Sequence, residues 1–226
     1  MNTQNRYVLR YARFTDISSI VSLVNAEALR SAATVSSSPE PNISWQNQWN
    51  AQHAYYPWLV AEPHTSDDPH TSDLASVKID RFIWSPNATS KHPPIGFAKA
   101  APYNSRDGFD WSVTLSIYLN PNDQGQGLST ALYQNLFKIL AWQGYRRSYA
   151  RISLPNPASV ALHQRFGLNQ VGTLPCFAWK FDQWFDMAIF SGSIACPFHS
   201  KQVDHQSAPT SIISLSDLPI NLKFNI

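Results

Sequence analysis

The feature that most constrains the fold is the segment "QGQGLS" at residues 124–129, where a strand-like run turns into a helix-like run. "WSVTLSIYLNP" precedes it and "TALYQNLFKILAWQG" follows it. The chain has only 8 glycines, and Gly125 and Gly127 both fall in this segment. Glycines before a helix let the backbone approach an anion closely, and the helix N-terminus offers unpaired N–H groups. The segment therefore predicts a strand–turn–helix unit with a candidate phosphate-binding loop.

The glycine spacing separates this loop from two well-known nucleotide-binding loops. A dinucleotide fingerprint needs three glycines, and a P-loop ends in Gly-Lys-Ser/Thr; neither pattern is present. Taken by itself, the loop is also consistent with a plain strand–helix connection that binds nothing. The surrounding sequence has to decide between these alternatives.

Hydrophobic periodicity predicts one mixed sheet flanked by helices, in the α/β or α+β class. A first helix starts after an N-cap at Thr15 or Asp16, and Gly144 closes the helix that follows the glycine loop. The predicted strands are 7–12, 57–62, 95–102, 112–119, 148–154, 170–181 and 182–191, and the predicted helices are 17–33, 45–56, 130–142 and 157–166.

The length of 226 residues favours one domain with extensions. We predict a domain at 1–191 that carries a polar, proline-rich insertion at 63–94, and a C-terminal extension at 192–226. The insertion contains one apolar island, "RFIW", which we expect to extend a strand. The tail has weak periodicity and is predicted to wrap the chain's own surface or a partner subunit.

Composition excludes several function classes. A formal net charge of +2 and small arginine clusters do not support nucleic-acid binding. The N-terminal residues lack the apolar core of a signal peptide, and no apolar run reaches the length of a membrane helix. The cysteines do not have a metal-ligand spacing, so no metal is expected. The sequence therefore predicts a cytoplasmic protein that does not bind membranes.

A second motif gives the glycine loop its meaning. Asn156, Ser159, His163 and Gly167 follow a spacing typical of the GCN5-related N-acetyltransferases (GNAT), and residues 124–129 resemble the pyrophosphate loop of the same superfamily. Within it, "YYPWLVAE", "LPNPASVALHQRFGL" and "WKFDQWFDMAIF" are similar to the phosphinothricin/methionine sulfoximine acetyltransferase branch. The resemblance covers roughly residues 7–191. It implies a GNAT fold, acetyl-CoA as co-substrate, a small amino-acid-like acceptor and a homodimer.

The resemblance also assigns roles to individual residues. It implies that the end of a splayed strand and the glycine loop bind CoA together with the start of a later helix: Ile117, Tyr118, Leu119, Gln124, Gly125, Gln126, Gly127, Leu128, Ser129, Thr130, Asn156 and Ser159. The implied acceptor-binding residues are Arg106, Ser116, Tyr118, Ser153 and Trp184, and the implied catalytic residues are His163, Tyr118 and Thr114. A histidine with a pKa near neutrality suits a proton-transfer role.

One position departs from the branch in a way that affects the chemistry. Thr114 stands where the branch has a glutamate credited with helping to take the amine proton, and threonine is no base near neutral pH. Three functions therefore remain open. The chain acetylates a phosphinothricin-like amino acid, or it acetylates a different small amine, or it binds CoA with little transferase activity.

Overall fold

The computed structural model describes residues 6–64, 82–88, 92–194 and 208–218. They form a sheet with eight strands: β1 (Arg6–Tyr11), β2 (Trp58–His64), β3 (Phe82–Trp84), β4 (Gly96–Pro102), β5 (Ser112–Leu119), β6 (Arg147–Ser153), β7 (Asn169–Lys180) and β8 (Gln183–Ser193). The helices are α1 (Ile17–Arg30), α2 (Asn42–Gln52), α3 (Leu128–Gln143) and α4 (Pro157–Arg165). Among the residues described, no helix is long and apolar enough to cross a membrane.

The sheet is mixed, in the order β3-β1-β2-β4-β5-β6-β8-β7. β1 and β3 pair in parallel, as do β5 and β6, and the other neighbours are antiparallel. This confirms the predicted class of one mixed central sheet. The island "RFIW" supplies β3 and does extend the sheet, while residues 65–81 and 89–91 of the predicted insertion lie outside the described part.

Two hydrophobic clusters cover the two faces of the sheet. The larger one joins α3 to the strands and includes Val113 and Leu115 of β5, while α4 packs against it. The smaller one contains the apolar face of α1 and Trp45 of α2, and Tyr118 packs against it. Because side chains alternate along a strand, Thr114 and Ser116 share the α1–α2 face with Tyr118. β5 thus presents side chains to both hydrophobic clusters, one on each face of the sheet.

The element bounds follow the predicted ones closely, with one shift and one correction. β5 has the predicted bounds, and α2 begins and ends a few residues earlier than expected. Asp16 is the N-cap residue of α1, but its carboxylate does not cap the helix. It accepts hydrogen bonds from the buried Arg10 guanidinium at 2.7 and 3.0 Å and from the Arg13 N–H at 2.7 Å. The Asp16 carboxylate therefore pairs with the buried charge of Arg10, which Glu62 also contacts, and not with the N–H groups at the start of the helix.

The described part of the C-terminal tail, 208–218, packs on the end of α3. Backbone and side chain of Gln143 both bond to Ile213, at 2.9 Å and 3.0 Å, and Leu218 is buried in the larger cluster. Trp111 Nε1 donates to the Thr210 carbonyl at 2.7 Å. These residues therefore wrap the chain's own surface, whereas the predicted boundary between residues 191 and 192 stays a prediction.

Candidate active site

The site begins where two parallel strands separate. β5 and β6 pair across Ser112–Thr114 and Arg147–Tyr149. Beyond that point β5 continues with β4 as far as Leu119, and β6 continues with β8 as far as Ser153. In the described part of the chain no strand fills the gap, so the edges that face each other present free backbone groups. An extended ligand with amide groups can pair with such edges as a strand would.

A cleft of about 860 Å³ occupies this gap, and we call it the central cleft. That volume suits a small-molecule site. Its walls come from the end of α1 with the following loop, the end of β5, the glycine loop, the start of α4 and the β7–β8 turn. The lining residues used below are Glu27, Arg30, Ser31, Ser116, Ile117, Tyr118, Leu119, Gln124, Gly125, Ser129, Tyr133, Arg151, Asn156, Ser159, His163, Phe181, Trp184 and Phe185.

The glycine loop forms one end of the central cleft. Gly125 and Gly127 have φ values of +74° and +87°, in the left-handed region that other residues rarely adopt. A Cβ on Gly125 would meet no atom within 4 Å, so its backbone is open to the cleft. Gly127 is the N-cap residue of the 16-residue α3 and offers no side chain to cap it. The loop and the first turn of α3 therefore provide the open N–H groups that an anion needs.

The start of α4 forms a second wall, where Asn156 and His163 are held by local hydrogen bonds. Asn156 Oδ1 caps the helix by accepting from the Ser159 N–H at 3.1 Å. His163 Nδ1 lies 2.7 Å from the Ser159 carbonyl, which can only accept, so Nδ1 carries the proton. Nε2 then accepts from the Tyr133 hydroxyl at 3.0 Å.

Burial fixes the charge state of this pair. His163 is only 3% exposed. Burial lowers the pKa of its imidazole below the ordinary value, against the opposing effect of the Ser159 hydrogen bond, so the ring is neutral near pH 7. Burial likewise raises the pKa of the Tyr133 phenol, so that hydroxyl keeps its proton. A neutral hydroxyl–imidazole pair thus lines the cleft.

A further part of the cleft lining carries both charged and aromatic side chains. Glu27 and Arg30 project from the last turns of α1 and form an ion pair. Arg151 of β6 joins them in the lining, as do Phe181, Trp184 and Phe185 of the β7–β8 turn. Lys180 Nζ bonds to the carbonyls of Ser31 and Thr34 at 2.9 and 2.7 Å. It thereby ties the β7–β8 turn to the loop after α1.

Comparison with protein families matches residues 38–168 to the acetyltransferase (GNAT) family. This chain belongs to the GNAT family. It is an acetyl-CoA-dependent acetyltransferase.

Individual proteins agree with the family assignment. The chain is 27% identical over 198 residues to phosphinothricin N-acetyltransferase of Streptomyces viridochromogenes, across 87% of this chain and 93% of that one. It is 31% identical over 114 residues to the L-methionine sulfoximine/L-methionine sulfone acetyltransferase of Salmonella typhimurium, across 50% and 61%. A phosphinothricin acetyltransferase from Sinorhizobium meliloti, solved in complex with acetyl-CoA, superposes with a TM-score of 0.66 at 22% identity, covering 90% and 95%. This last likeness shows the shared fold.

The structure brings most of the predicted CoA-binding residues of this GNAT chain into the cleft. Ile117, Tyr118, Leu119, Gln124, Gly125, Ser129, Asn156 and Ser159 all line it. The Gln126 side chain turns toward β1, where its Oε1 accepts from the Tyr7 hydroxyl at 2.7 Å, and Leu128 is fully buried in the core. Gln126, Gly127, Leu128 and Thr130 can therefore contribute to the site through their backbone and not through side chains in the lining.

The predicted acceptor-binding and catalytic residues divide into two groups. Ser116, Tyr118, Trp184 and His163 line the cleft. Three others are absent from its described lining: Arg106 is exposed on the loop before β5, Ser153 is buried, and Thr114 points its hydroxyl at the Ala101 carbonyl, 3.3 Å away. Their roles stay predictions.

Sequence reasoning missed Glu27, Arg30, Tyr133 and Arg151, all of which line the cleft. The first three fall within helical patterns, where a charged residue is read as a solvated face and an aromatic residue as core. The place of Glu27 in the apolar periodicity of α1, three residues after Val24, is the sequence signal that could have drawn attention to it.

Gly125 and Gly167, which have nearly the same φ values of +74° and +78°, offer a matched test of phosphate binding by the glycine loop. Gly125→Val should raise the KM for acetyl-CoA about tenfold or more, because the side chain blocks one charge-assisted contact worth roughly 1.5–3 kcal/mol. Gly167→Val is the control, since Gly167 has a φ of +78° and equally open space but is absent from the described lining. Steady-state kinetics and melting temperatures should show similar strain in both variants and a KM effect in Gly125→Val alone. Equal effects of the two substitutions on the KM for acetyl-CoA would reject the assignment of this loop as a phosphate-binding loop.

Proposed function

We propose that this GNAT enzyme transfers the acetyl group of acetyl-CoA to the amine of a small amino-acid-like acceptor of the phosphinothricin or methionine sulfoximine type. The observation that carries the proposal is the continuity of the central cleft. Its lining joins the glycine loop, the end of β5 and the side chains of Glu27, Arg30 and Trp184 in one cavity. An acceptor with charged groups and a short apolar side chain suits these side chains, and relatives with both substrate names support the class.

The chain's residues would hold the two reactants in contact. The backbone of the glycine loop binds the pyrophosphate, and the free edge of β5 at Ile117–Leu119 pairs with the pantetheine arm. Acetyl-CoA supplies the thioester whose carbonyl carbon the acceptor amine attacks. A β5 N–H directed into the gap polarises that carbonyl, and alignment of two bound reactants supplies much of the rate.

Proton transfer is assigned to His163 and Tyr133. His163 Nε2 already accepts a hydrogen bond from the Tyr133 hydroxyl. A proton from the cleft therefore reaches the imidazole through that hydroxyl. Tyr133 would take the proton that the attacking amine loses as it gives its own to Nε2. The C–S bond of the thioester breaks, and CoA leaves as a thiolate that takes a proton from solvent. His163 thus acts through Tyr133, which replaces the direct role expected from the sequence.

The alternative acceptors also have support in the structure. Thr114 and Arg106, which the resemblance ties to the acceptor, are absent from the described lining. The described pocket therefore lacks two residues that the resemblance assigned to it, which favours a related amine over phosphinothricin itself.

A thiol-release assay with acetyl-CoA tests the proposal against its alternatives. The acceptor panel should contain phosphinothricin, methionine sulfoximine, methionine sulfone, standard amino acids and amines without a carboxylate. We expect turnover of at least one amino-acid-like member. Turnover confined to amines without a carboxylate would transfer the function to a different acceptor class. No turnover of any amine, with acetyl-CoA binding intact, would leave a CoA-binding protein.

A homodimer is also proposed, and the sheet edge at β7 supports it. β7 is the last strand of the sheet and is exposed along most of its length. Large apolar side chains of β7 outside the cleft lining face solvent: Val171, Phe177 and Trp179. Such a patch on an open edge marks an interaction surface. Light scattering should give twice the chain mass, and Val171→Lys should shift the mass toward the monomer; a monomeric wild type would end the proposal.

A further inference from the structure

We propose that Glu27 and Arg30 together recognise the acceptor, with Glu27 binding its ammonium group and Arg30 binding its carboxylate. The inference rests on the proposed function and names the residues that select the substrate. Both side chains project from the last turns of α1 into the central cleft and contact each other. A pair of opposite charges on one wall matches the two charges of an amino-acid zwitterion.

Glu27 is a largely buried carboxylate with room for one more donor on each oxygen. Its side chain is 11% exposed. One oxygen accepts from the Arg30 guanidinium and the other from the Ser31 hydroxyl. A carboxylate oxygen offers two lone pairs, so each retains one acceptor site. A buried carboxylate gains most from a further charged donor, and an ammonium that enters the cleft is such a donor.

Arg151 shares the cleft lining with Glu27, and the other ionisable groups near Glu27 are already engaged elsewhere. Lys180 approaches from β7, and its ammonium bonds to the Ser31 and Thr34 carbonyls. Glu40, from the loop before α2, accepts from Trp45 Nε1 at 2.6 Å and from the Ser36 hydroxyl at 2.7 Å. Tyr118 faces Glu27 from β5 and shares a side-chain hydrogen bond with Thr34. Glu27 is therefore the carboxylate of this group that faces the cleft.

Arg30 has the reach and the donors for the acceptor's carboxylate. Its side chain is 49% exposed, so it can reorient without a large desolvation cost. A guanidinium has five N–H donors in a planar fork, and only one of its nitrogens contacts Glu27. The remaining donors can bind a carboxylate in bidentate fashion. Arg106, which the sequence suggested for this task, lies on an exposed loop outside the described lining.

The position of Thr114 explains why a carboxylate on α1 is useful. The branch that this chain resembles carries its carboxylate on the strand, at the position of Thr114. The Thr114 hydroxyl is directed at the Ala101 carbonyl instead. Glu27 supplies a negative charge from α1 within the central cleft, whose described lining does not include Thr114.

The test compares acceptors that have and lack a carboxylate, using wild type and two variants. Glu27→Gln keeps the size of the side chain and should raise the acceptor KM about tenfold or more, which is the expected loss for one hydrogen bond between charged groups. The KM for acetyl-CoA should stay unchanged. Wild type should prefer the best amino acid over its C-terminal amide by about tenfold or more, and Arg30→Gln should abolish that preference.

Two controls match these substitutions. Asp182→Asn makes the same carboxylate-to-amide change on the exposed β7–β8 turn, next to lining residues, and should leave both KM values unchanged. Arg106→Gln tests the competing arginine and should retain the preference over the amide. Melting temperatures report folding. If Glu27→Gln is unstable, Glu27→Asp keeps the charge, shortens the reach and should raise the same KM.

The outcomes separate the pair from the proposed function. Wild type could acetylate amino acids while Glu27→Gln keeps the acceptor KM and Arg30→Gln keeps the preference over the amide. That result would overturn the assignment of Glu27 and Arg30 to acceptor recognition and leave the proposed function standing. Loss of the preference in Arg106→Gln but not in Arg30→Gln assigns the carboxylate to Arg106. A wild type that acetylates only amines without a carboxylate overturns the proposed function, and the role of Arg30 with it.

Discussion

His163→Ala should lower kcat about 100-fold or more and leave the KM for acetyl-CoA nearly unchanged. The expected loss is the usual contribution of a positioned acid or base. Because the imidazole reaches the cleft through the Tyr133 hydroxyl, Tyr133→Phe should lower kcat in the same way. The kcat of the double variant should be no lower than that of the slower single variant. If the two residues act as one relay, either substitution alone already removes the relay's contribution to kcat.

The pH dependence of kcat provides a readout that a merely structural role would not move. The relay needs a neutral imidazole, and burial lowers the pKa of His163 below its ordinary value of 6.5. The midpoint of the acid limb of kcat should therefore lie below pH 6.5, where Nε2 becomes protonated. The acid limb should disappear in His163→Ala.

A matched control separates loss of the relay from loss of a buried hydroxyl. Tyr145 is 3% exposed, and its hydroxyl donates to the Tyr55 carbonyl at 3.1 Å, away from the cleft lining. Tyr145→Phe should reduce the melting temperature about as much as Tyr133→Phe does and should keep kcat. If kcat in Tyr133→Phe matches that in Tyr145→Phe, His163 and Tyr133 only pack against each other.

The sequence predicted the turns and caps around the glycine loop and α4 well, because these features depend on local structure. Gly125, Gly127 and Gly144 occupy left-handed positions that mark the turn and the end of α3. Asn156 caps α4 from within its own motif. Each of these residues lies within a few positions of the turn, helix end or cap that it specifies. These features can therefore be predicted from one sequence.

The part of the cleft that we assign to the acceptor was predicted only in part, because long-range contacts build it. Trp184 lines the cleft as predicted, whereas Glu27 joins the same lining from α1, and Lys180 ties the loop after α1 to the end of β7. Tyr133 reads as a core position of α3, and its hydrogen bond to His163 joins residues 30 positions apart. Arg106 was taken from the branch pattern, and the course of the exposed loop places it outside the described lining.

Lys99→Met should make the protein more stable at neutral pH, by an amount that shrinks as the pH rises. Lys99 on β4 is 7% exposed, and its register partners are Trp58 of β2 and Ser116 of β5. Its Nζ bonds to Gln48 Oε1 at 2.6 Å and lies 4.1 and 4.3 Å from the Trp45 and Trp58 ring centres. Burial in these surroundings lowers the pKa of Lys99 to about 7, although the Glu40 carboxylate acts to raise it.

The sign of the effect follows from the two pKa values. In the unfolded chain the amine titrates at its ordinary value of 10.5, and in the folded chain at about 7. Between these values the unfolded state binds the extra proton, so the free energy of unfolding of wild type falls by about 1.4 kcal/mol for each unit by which the pH decreases. Methionine has a similar length and no charge. The advantage of Lys99→Met should therefore grow by roughly 2–3 kcal/mol between pH 9 and pH 7.

Urea unfolding of wild type and Lys99→Met at pH 7, 8 and 9 measures this difference directly. Lys138→Met, on the half-buried surface of α3, is the control and should give a much smaller change over the same range. Loss of the Gln48 hydrogen bond in Lys99→Met adds a cost, but that cost is the same at pH 8 and 9, so it cannot imitate the slope. A difference that stays constant across the three pH values would mean that Lys99 remains charged in the fold, held by the two indole rings and Glu40.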